Sequence, residues 1–269
     1  MNREGIYMPV YSIKTIKEYA NNYISNNGRE ITKTVLLITS AVIFVQAVNF
    51  FSQVLGLILG LITLTMPQGL VYASLKIVDQ QELSAIDDTL YGIKKISKYF
   101  TTYFIYSLIA VFVLALVIVA FILLVSYCDI GIIGGRDIVS ILAQYWIIVI
   151  TLLVIVIGTY VFLDCNYGMY PYLMETSDVK NLRALKRSRQ FMKHKKKAYL
   201  KLYLSFWKEY LGLIIITLLV SFVLPTMLDI SAIIFIVGEA VLIKRKLIIY
   251  KALFFENSGW MNKNLIFKI

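Results

Sequence analysis

Histidine occurs once and cysteine twice in these 269 residues. One imidazole, His194, and two distant thiols, Cys128 and Cys165, cannot furnish the four ligands of a usual zinc site or a disulfide framework. The chain also lacks Gly-x-x-x-x-Gly-Lys-Ser/Thr, His-Glu-x-x-His and Gly-x-Ser-x-Gly, so it carries no P-loop, zincin helix or nucleophile elbow of its own. Neither an enzyme nor a cofactor is expected. Charge is scarce too. Asp, Glu, Lys and Arg make up 16% of the chain, where a soluble domain carries about a quarter. Residues 1–33 are polar and have no apolar core beside a small-residue cleavage site, so the first crossing is expected to act as an uncleaved signal.

Apolar runs take the place of the missing charge. Hydrophobic residues make up 59% and the mean hydropathy is +0.75. Tyr99 to Cys128 and Ile138 to Leu163 are free of charge, and each exceeds the ~20 residues that cross a hydrocarbon core. The sequence predicts an all-α polytopic membrane protein, a single membrane domain over residues 1–269. Six transmembrane helices are expected at 34–51, 54–75, 103–126, 145–173, 210–228 and 230–255. Pro67 should kink the second, and a tight turn at Asp229 should join the last two. Cytoplasmic amphipathic interfacial helices are expected at 9–27, 84–98 and 178–200. Ile13, Ile16, Ala20 and Ile24 share one helical face in the first of these. Ser84 with Asp87 makes a capping-box-like start to the second.

With six crossings, every Lys and Arg except Arg136 falls on one side of the bilayer. Cytoplasmic loops collect positive charge, so both termini are placed in the cytoplasm. The formal net charge of +11 is then the topology signal itself. It argues against nucleic acid as a partner, and it favours the anionic inner leaflet at ~1 kcal/mol per basic residue near the surface.

Each polar segment holds an aliphatic–Lys pair six residues before an aromatic: Ile13-Lys14 and Tyr19, Ile93-Lys94 and Tyr99, Leu185-Lys186 and Phe191. Each second crossing carries a glycine (Gly69, Gly168 or Gly238) six or seven residues before a charge (Lys76, Glu175 or Lys244). Two explanations stand: a threefold helix–hairpin repeat about an axis along the membrane normal, or the chemistry common to any cytoplasmic entry into a membrane helix.

Polar residues inside apolar runs are the candidate sites. Glu239 is nine residues into the sixth helix, where an acid costs ~2.5–3.5 kcal/mol at the bilayer centre. It reads either as the ion-pair partner of Arg245 or Lys246, or as a relay. Lys244 and Lys251 lie seven apart, with Arg245 beside them. They read as a headgroup pocket or as snorkelling anchors. Asp164 is expected in the inner part of the fourth helix, satisfied by Asn166 and the tyrosines at 167, 170 and 172. Gly56 and Gly60 suit close packing of helices within the bundle, with Gln46 and Asn49 as interhelical glue. The exposed cytoplasmic contact surface is expected at Arg183, Lys186, Arg187, Arg189 and Lys193.

From Met66 onward the chain resembles an uncharacterised family of bacterial six-helix integral membrane proteins that carry a domain of unknown function. One stretch of likeness is Pro67-Gln68-Gly69-Leu70-Val71-Tyr72, continuing to Leu75-Lys76. The other is Ala184-Leu185-Lys186-Arg187-Ser188-Arg189-Gln190-Phe191-Met192-Lys193, which is similar to an A-L-K-x-S-R-x-x-M-K motif, preceded by Tyr172-Leu173-Met174-Glu175. The resemblance implies a fold and a bacterial cell membrane, and no reaction. Two functions fit the residues: a non-enzymatic component contacting proteins or lipids in export, immunity or envelope maintenance, or a transport component. The transport component would be a permease subunit partnered by a separate ATPase, or a small transporter using Glu239 and Asp164.

Overall fold

A computed structural model describes residues 13–129, 138–177, 179–223 and 228–260. Arg136, the loop glycines 131, 134 and 135, residues 9–12, and Lys263 and Lys268 in the tail lie outside the described residues. The described chain is all-helical, without a strand. Its elements are α1 Ile13–Phe51, α2 Gln53–Thr63, α3 Pro67–Val78, α4 Ala85–Lys94, α5 Ile96–Asp129 and α6 Ile138–Tyr167. They continue as α7 Tyr170–Ser177, α8 Asn181–Met192, α9 Lys196–Leu204, α10 Trp207–Val223, α11 Leu228–Glu239, a π-helical turn Ala240–Lys244 and α12 Arg245–Trp260.

Three helical stretches among the described residues are long and apolar enough to cross a membrane: Gly28–Phe51, Gln53–Val78 and Ile96–Leu123. Their outer surfaces are apolar and uncovered. Phe50 and Phe51 are 87% and 86% exposed, and no residue in the most apolar window of α5 is buried. Contiguous apolar exposure of this kind marks a surface made for lipid or a partner, and with the span lengths it identifies a membrane protein.

The core sits at the polar ends of these helices. It is built from α3, α7, α8, α9 and α12 around the first half of α1, with Ile31, Ile77, Tyr172, Met192, Leu202 and Ile249 almost fully buried. The expected interfacial helix at 9–27 is not separate. No proline interrupts residues 13–51, so α1 runs unbroken into the first apolar stretch, about 58 Å at the helical rise. Pro67 does break its helix: it occupies the first turn of α3, where a missing N–H costs nothing.

Elsewhere the expected bounds divide. The 84–98 segment is α4 plus the first turn of α5, and 178–200 is split between α8 and α9. The 145–173 crossing is α6 followed by a break at Gly168–Met169 and then α7. Asp229 is in the first turn of α11 rather than in a turn between helices. The cap of α4 is closed mainly by Asp88, whose carboxylate accepts the Ser84 N–H at 3.0 Å, while the Ser84 hydroxyl bonds Asp87 at 3.1 Å. Gly56 is buried with its Cα facing Asn49: a Cβ there would lie 2.5 Å from the Asn49 backbone. Gly60 faces Val45. Both glycines therefore serve the contact of α2 with α1 within one chain.

Candidate functional site: two tyrosine-clamped carboxylates

Two acids of the α6–α7 region each receive two tyrosine hydroxyls. Asp164, near the end of α6, is buried. Tyr199 and Tyr203, one turn apart on α9, both donate to its Oδ2, Tyr199 at 2.8 Å. Lys251 of α12 completes the group, its Nζ 3.1 Å from Oδ2 and above the Tyr203 ring. Asp164 thereby ties α6 to α9 and α12. Gly168 makes the approach feasible. It donates its N–H to the Asp164 carbonyl at 2.7 Å, and a Cβ there would meet that carbonyl at 2.5 Å and the Tyr199 hydroxyl at 2.6 Å.

Glu175, in α7, is the second acid. It accepts from Tyr91 of α4 at 2.5 Å, Tyr99 of α5 at 2.6 Å and the Gln68 amide of α3 at 3.0 Å. Gln68 is fully buried. Its amide nitrogen also donates to the Pro171 carbonyl, and its carbonyl oxygen accepts from Tyr103, so its bonding capacity is well used. Lys95 donates to the Tyr91 hydroxyl at 2.9 Å, giving a chain Lys95–Tyr91–Glu175. Burial, then the Glu175 carboxylate, pushes the Tyr91 phenol above its ordinary pKa. The Tyr91 oxygen raises that of Lys95. Glu175 thus gathers α3, α4, α5 and α7 at one point. In a low-dielectric setting such a satisfied polar knot fixes a unique packing. Gly69 and Gly92 make the same corner tight, facing the carbonyls of Asp88 and Thr65 respectively.

The expected site residues fall in four places. Asp164 is buried, but its donors are Tyr199, Tyr203 and Lys251 rather than the tyrosines at 167, 170 and 172. Those stand along the helix that continues from the acid, whereas α9 and α12 cross over it. Asn166 bonds the Phe162 carbonyl and receives Lys196 at 2.5 Å. Glu239 pairs with Lys244 at 3.3 Å, in place of the expected Arg245 or Lys246, and Tyr210 donates to it at 3.4 Å. The π-helical turn supplies the reason, since its i→i+5 pattern brings residues five apart over one another. Arg245 instead donates to Thr32 of α1 at 3.3 Å, and its Nε is buried without a partner among the described residues. Lys244, Arg245 and Lys251 each bond a different group: Glu239, Thr32 and Asp164. Arg183, Lys186, Arg187, Arg189 and Lys193 are all exposed on α8 and its C-cap, while Ala184, Leu185, Ser188 and Met192 are buried beneath them.

Sequence reasoning does not find Glu175, Gln68, Tyr91 and Tyr99 as one cluster. The available signal is a glutamine inside an apolar run beside Pro67, together with tyrosines four residues apart at 99 and 103 and again at 199 and 203.

The two stretches of family likeness meet here, Gln68 reaching Glu175 across 107 positions of sequence. A family described as proteins of unknown function, DUF975, matches residues 8–237. The chain belongs to that family. The match begins well before Met66 and takes in α1, α2 and both carboxylate clusters except Lys251. No curated protein and no solved structure matches the chain.

Proposed function

We propose that this DUF975 member is a non-enzymatic, multi-pass protein of a bacterial cell membrane, with six crossings and both termini in the cytoplasm. It acts as a protein- or lipid-contacting component in export, immunity or envelope maintenance. The observation that carries the reading is α8. It turns five cations outward from a buried apolar underside, the arrangement of a surface that meets an anionic leaflet or an acidic partner. The carboxylate clusters support a structural role for the core beneath it, because their hydrogen-bonding groups face inward between helices.

The threefold repeat belongs to the same proposal. Each returning helix is interrupted before its last segment: at 64–66 before α3, at 168–169 before α7, and by the π-helical turn before α12. Each last segment then enters the core.

Purifying tagged protein in lipid nanodiscs and identifying what accompanies it by mass spectrometry tests the reading. A partner protein or anionic lipid should be recovered with the wild type and lost from an R183E/R187E variant. Identical recovery from both would sink it. A transport component is the second reading, favoured by the Asp164–Lys251 pair and by Glu239 among apolar helices. It predicts that Glu239→Gln abolishes flux at unchanged abundance, and wild-type flux would remove the relay.

A further inference from the structure

We propose that the hollow between α8 and α9 is a binding site for a phosphoanion, either a lipid headgroup phosphate or a soluble phosphate ester. The hollow measures about 330 Å³ and is lined by Lys186, Arg189, Gln190, Lys193 and Lys196. The size suits a phosphate group with its substituent and is at the low end for organic ligands. Four cations and one amide line it, and no carboxylate does among the described residues.

The geometry is set by helical periodicity. Lys186, Arg189, Gln190 and Lys193 occupy positions i, i+3, i+4 and i+7, which share one face. The chain turns after α8, and Lys196 opens α9 on the opposite wall. Lys196 is tethered, donating to Asn166 at the end of α6, while the Ser188 hydroxyl lies 3.4 Å from the Asn166 carbonyl. The wall is therefore braced against the bundle. Among the described residues, Lys186, Arg189 and Lys193 have no carboxylate partner.

A simpler account would be that cations near the C-terminus of α8 complement its macrodipole. That dipole is worth only about half an elementary charge, against four positive charges in the hollow. Mutual repulsion among them is left uncompensated, and an anion relieves it. Arg189 brings a planar fork suited to two phosphate oxygens, with lysines as point charges around it. In the Lys244–Lys251 region, Lys244, Arg245 and Lys251 bond Glu239, Thr32 and Asp164 respectively.

This inference rests on reading α8 as the contact face and narrows it to a ligand class. The test is lysine acetylation of the full chain, read by mass spectrometry, with Lys186 and Lys193 as reporters and the exposed Lys197 and Lys201 as internal references. The protein is held in nanodiscs of pure phosphatidylcholine, in the same discs with added pyrophosphate, and in discs of one-third phosphatidylglycerol. Selective slowing at both reporters with pyrophosphate identifies a soluble phosphoanion. Selective slowing only with phosphatidylglycerol identifies a headgroup.

Arg189→Gln, at an exposed side chain without a carboxylate partner among the described residues, should weaken the protection about fivefold at ~1 kcal/mol per basic residue. Equal slowing of all four lysines, no slowing, or undiminished protection in Arg189→Gln would each overturn the site. Failure of the contact-face reading is separable. Arg183 and Arg187 do not line the hollow, so unchanged partner recovery in R183E/R187E speaks to the face and not to the site.

Discussion

Removing Asp164 should destabilise the protein far more than removing Asp164 and Lys251 together. The two side chains are 12% and 14% exposed and 3.1 Å apart. Replacing Asp164 by Asn leaves the Lys251 ammonium buried without a counter-charge, which costs about 3–5 kcal/mol in comparable pairs. Replacing Lys251 by Met is milder. The carboxylate keeps two tyrosine donors, so the loss is about 1–2 kcal/mol. In the D164N/K251M double variant, the new amide oxygen would still accept from Tyr199 and Tyr203, and the methionine fills the aliphatic path of the lysine. The double loss should then be about 1–2 kcal/mol, leaving a coupling energy of about 4 kcal/mol. Thermal unfolding in nanodiscs reads this directly. At roughly 2–4 °C per kcal/mol for a chain of this size, Asp164→Asn lowers the midpoint by about 6–20 °C. The double variant recovers most of that. If the two single effects simply add, Lys251 and Asp164 do not depend on one another and the clamp is misassigned.

Other perturbations separate the same arguments. Gly168→Ala should cost about 2–4 kcal/mol by driving a methyl into the Asp164 carbonyl and the Tyr199 hydroxyl. Gly158→Ala, with nothing within 4 Å of its Cβ, should be neutral or stabilise by up to ~1 kcal/mol; midpoints measured side by side decide. Glu175→Leu should destabilise by about 3 kcal/mol, since it takes the acceptor from buried Gln68 and Tyr99 and from half-buried Tyr91. Tyr91→Phe alone should cost only about 1 kcal/mol, and equal effects would refute the convergence on Glu175.

Lys195 supplies a pH test. Burial holds its ammonium down to about 8 against an ordinary 10.5. Between those values the unfolded chain keeps the proton and the folded chain releases it, so stability rises with pH across that window and Lys195 opposes folding below it. Lys195→Met should therefore stabilise the protein at neutral pH and flatten the rise from about pH 8 to 10. An unchanged pH profile would exclude the shift.

Much of the organisation was legible because membrane helices announce themselves by length and lack of charge. The charge-free run at 99–128 contains most of α5, and Pro67 marks the break that opens α3. The outward face of α8 followed from its periodicity, with Leu185 and Met192 beneath and Arg183, Arg187 and Arg189 above, but Leu182, which the same periodicity puts on the apolar stripe, is exposed. Periodicity gives faces but not partners. Nothing local says that Asp164 will meet α9 and α12, because those contacts span 35 to 87 positions of chain. The π-helical turn was hidden for a related reason: five apolar and basic residues read as ordinary helix until tertiary packing adds the extra residue. Glu239 stands out as an acid in an apolar run, yet its pairing with Lys244 depends on that turn. Glu175 passes as an interfacial charge because its four-helix convergence needs Gln68, a residue whose polarity looks like a minor interruption.

The proposed topology puts α8 and the polar core on the cytoplasmic side, opposite the junction of α1 and α2. Cysteine accessibility in intact cells tests this directly. Single cysteines at Ser52, between α1 and α2, and at Lys193, on the basic face, would be introduced into a chain whose Cys128 and Cys165 are replaced by alanine. A membrane-impermeant maleimide should label the cysteine at 52 in intact cells and reach that at 193 only after permeabilisation. Labelling of both from outside, or of 193 alone, would contradict the topology and the contact surface built on it.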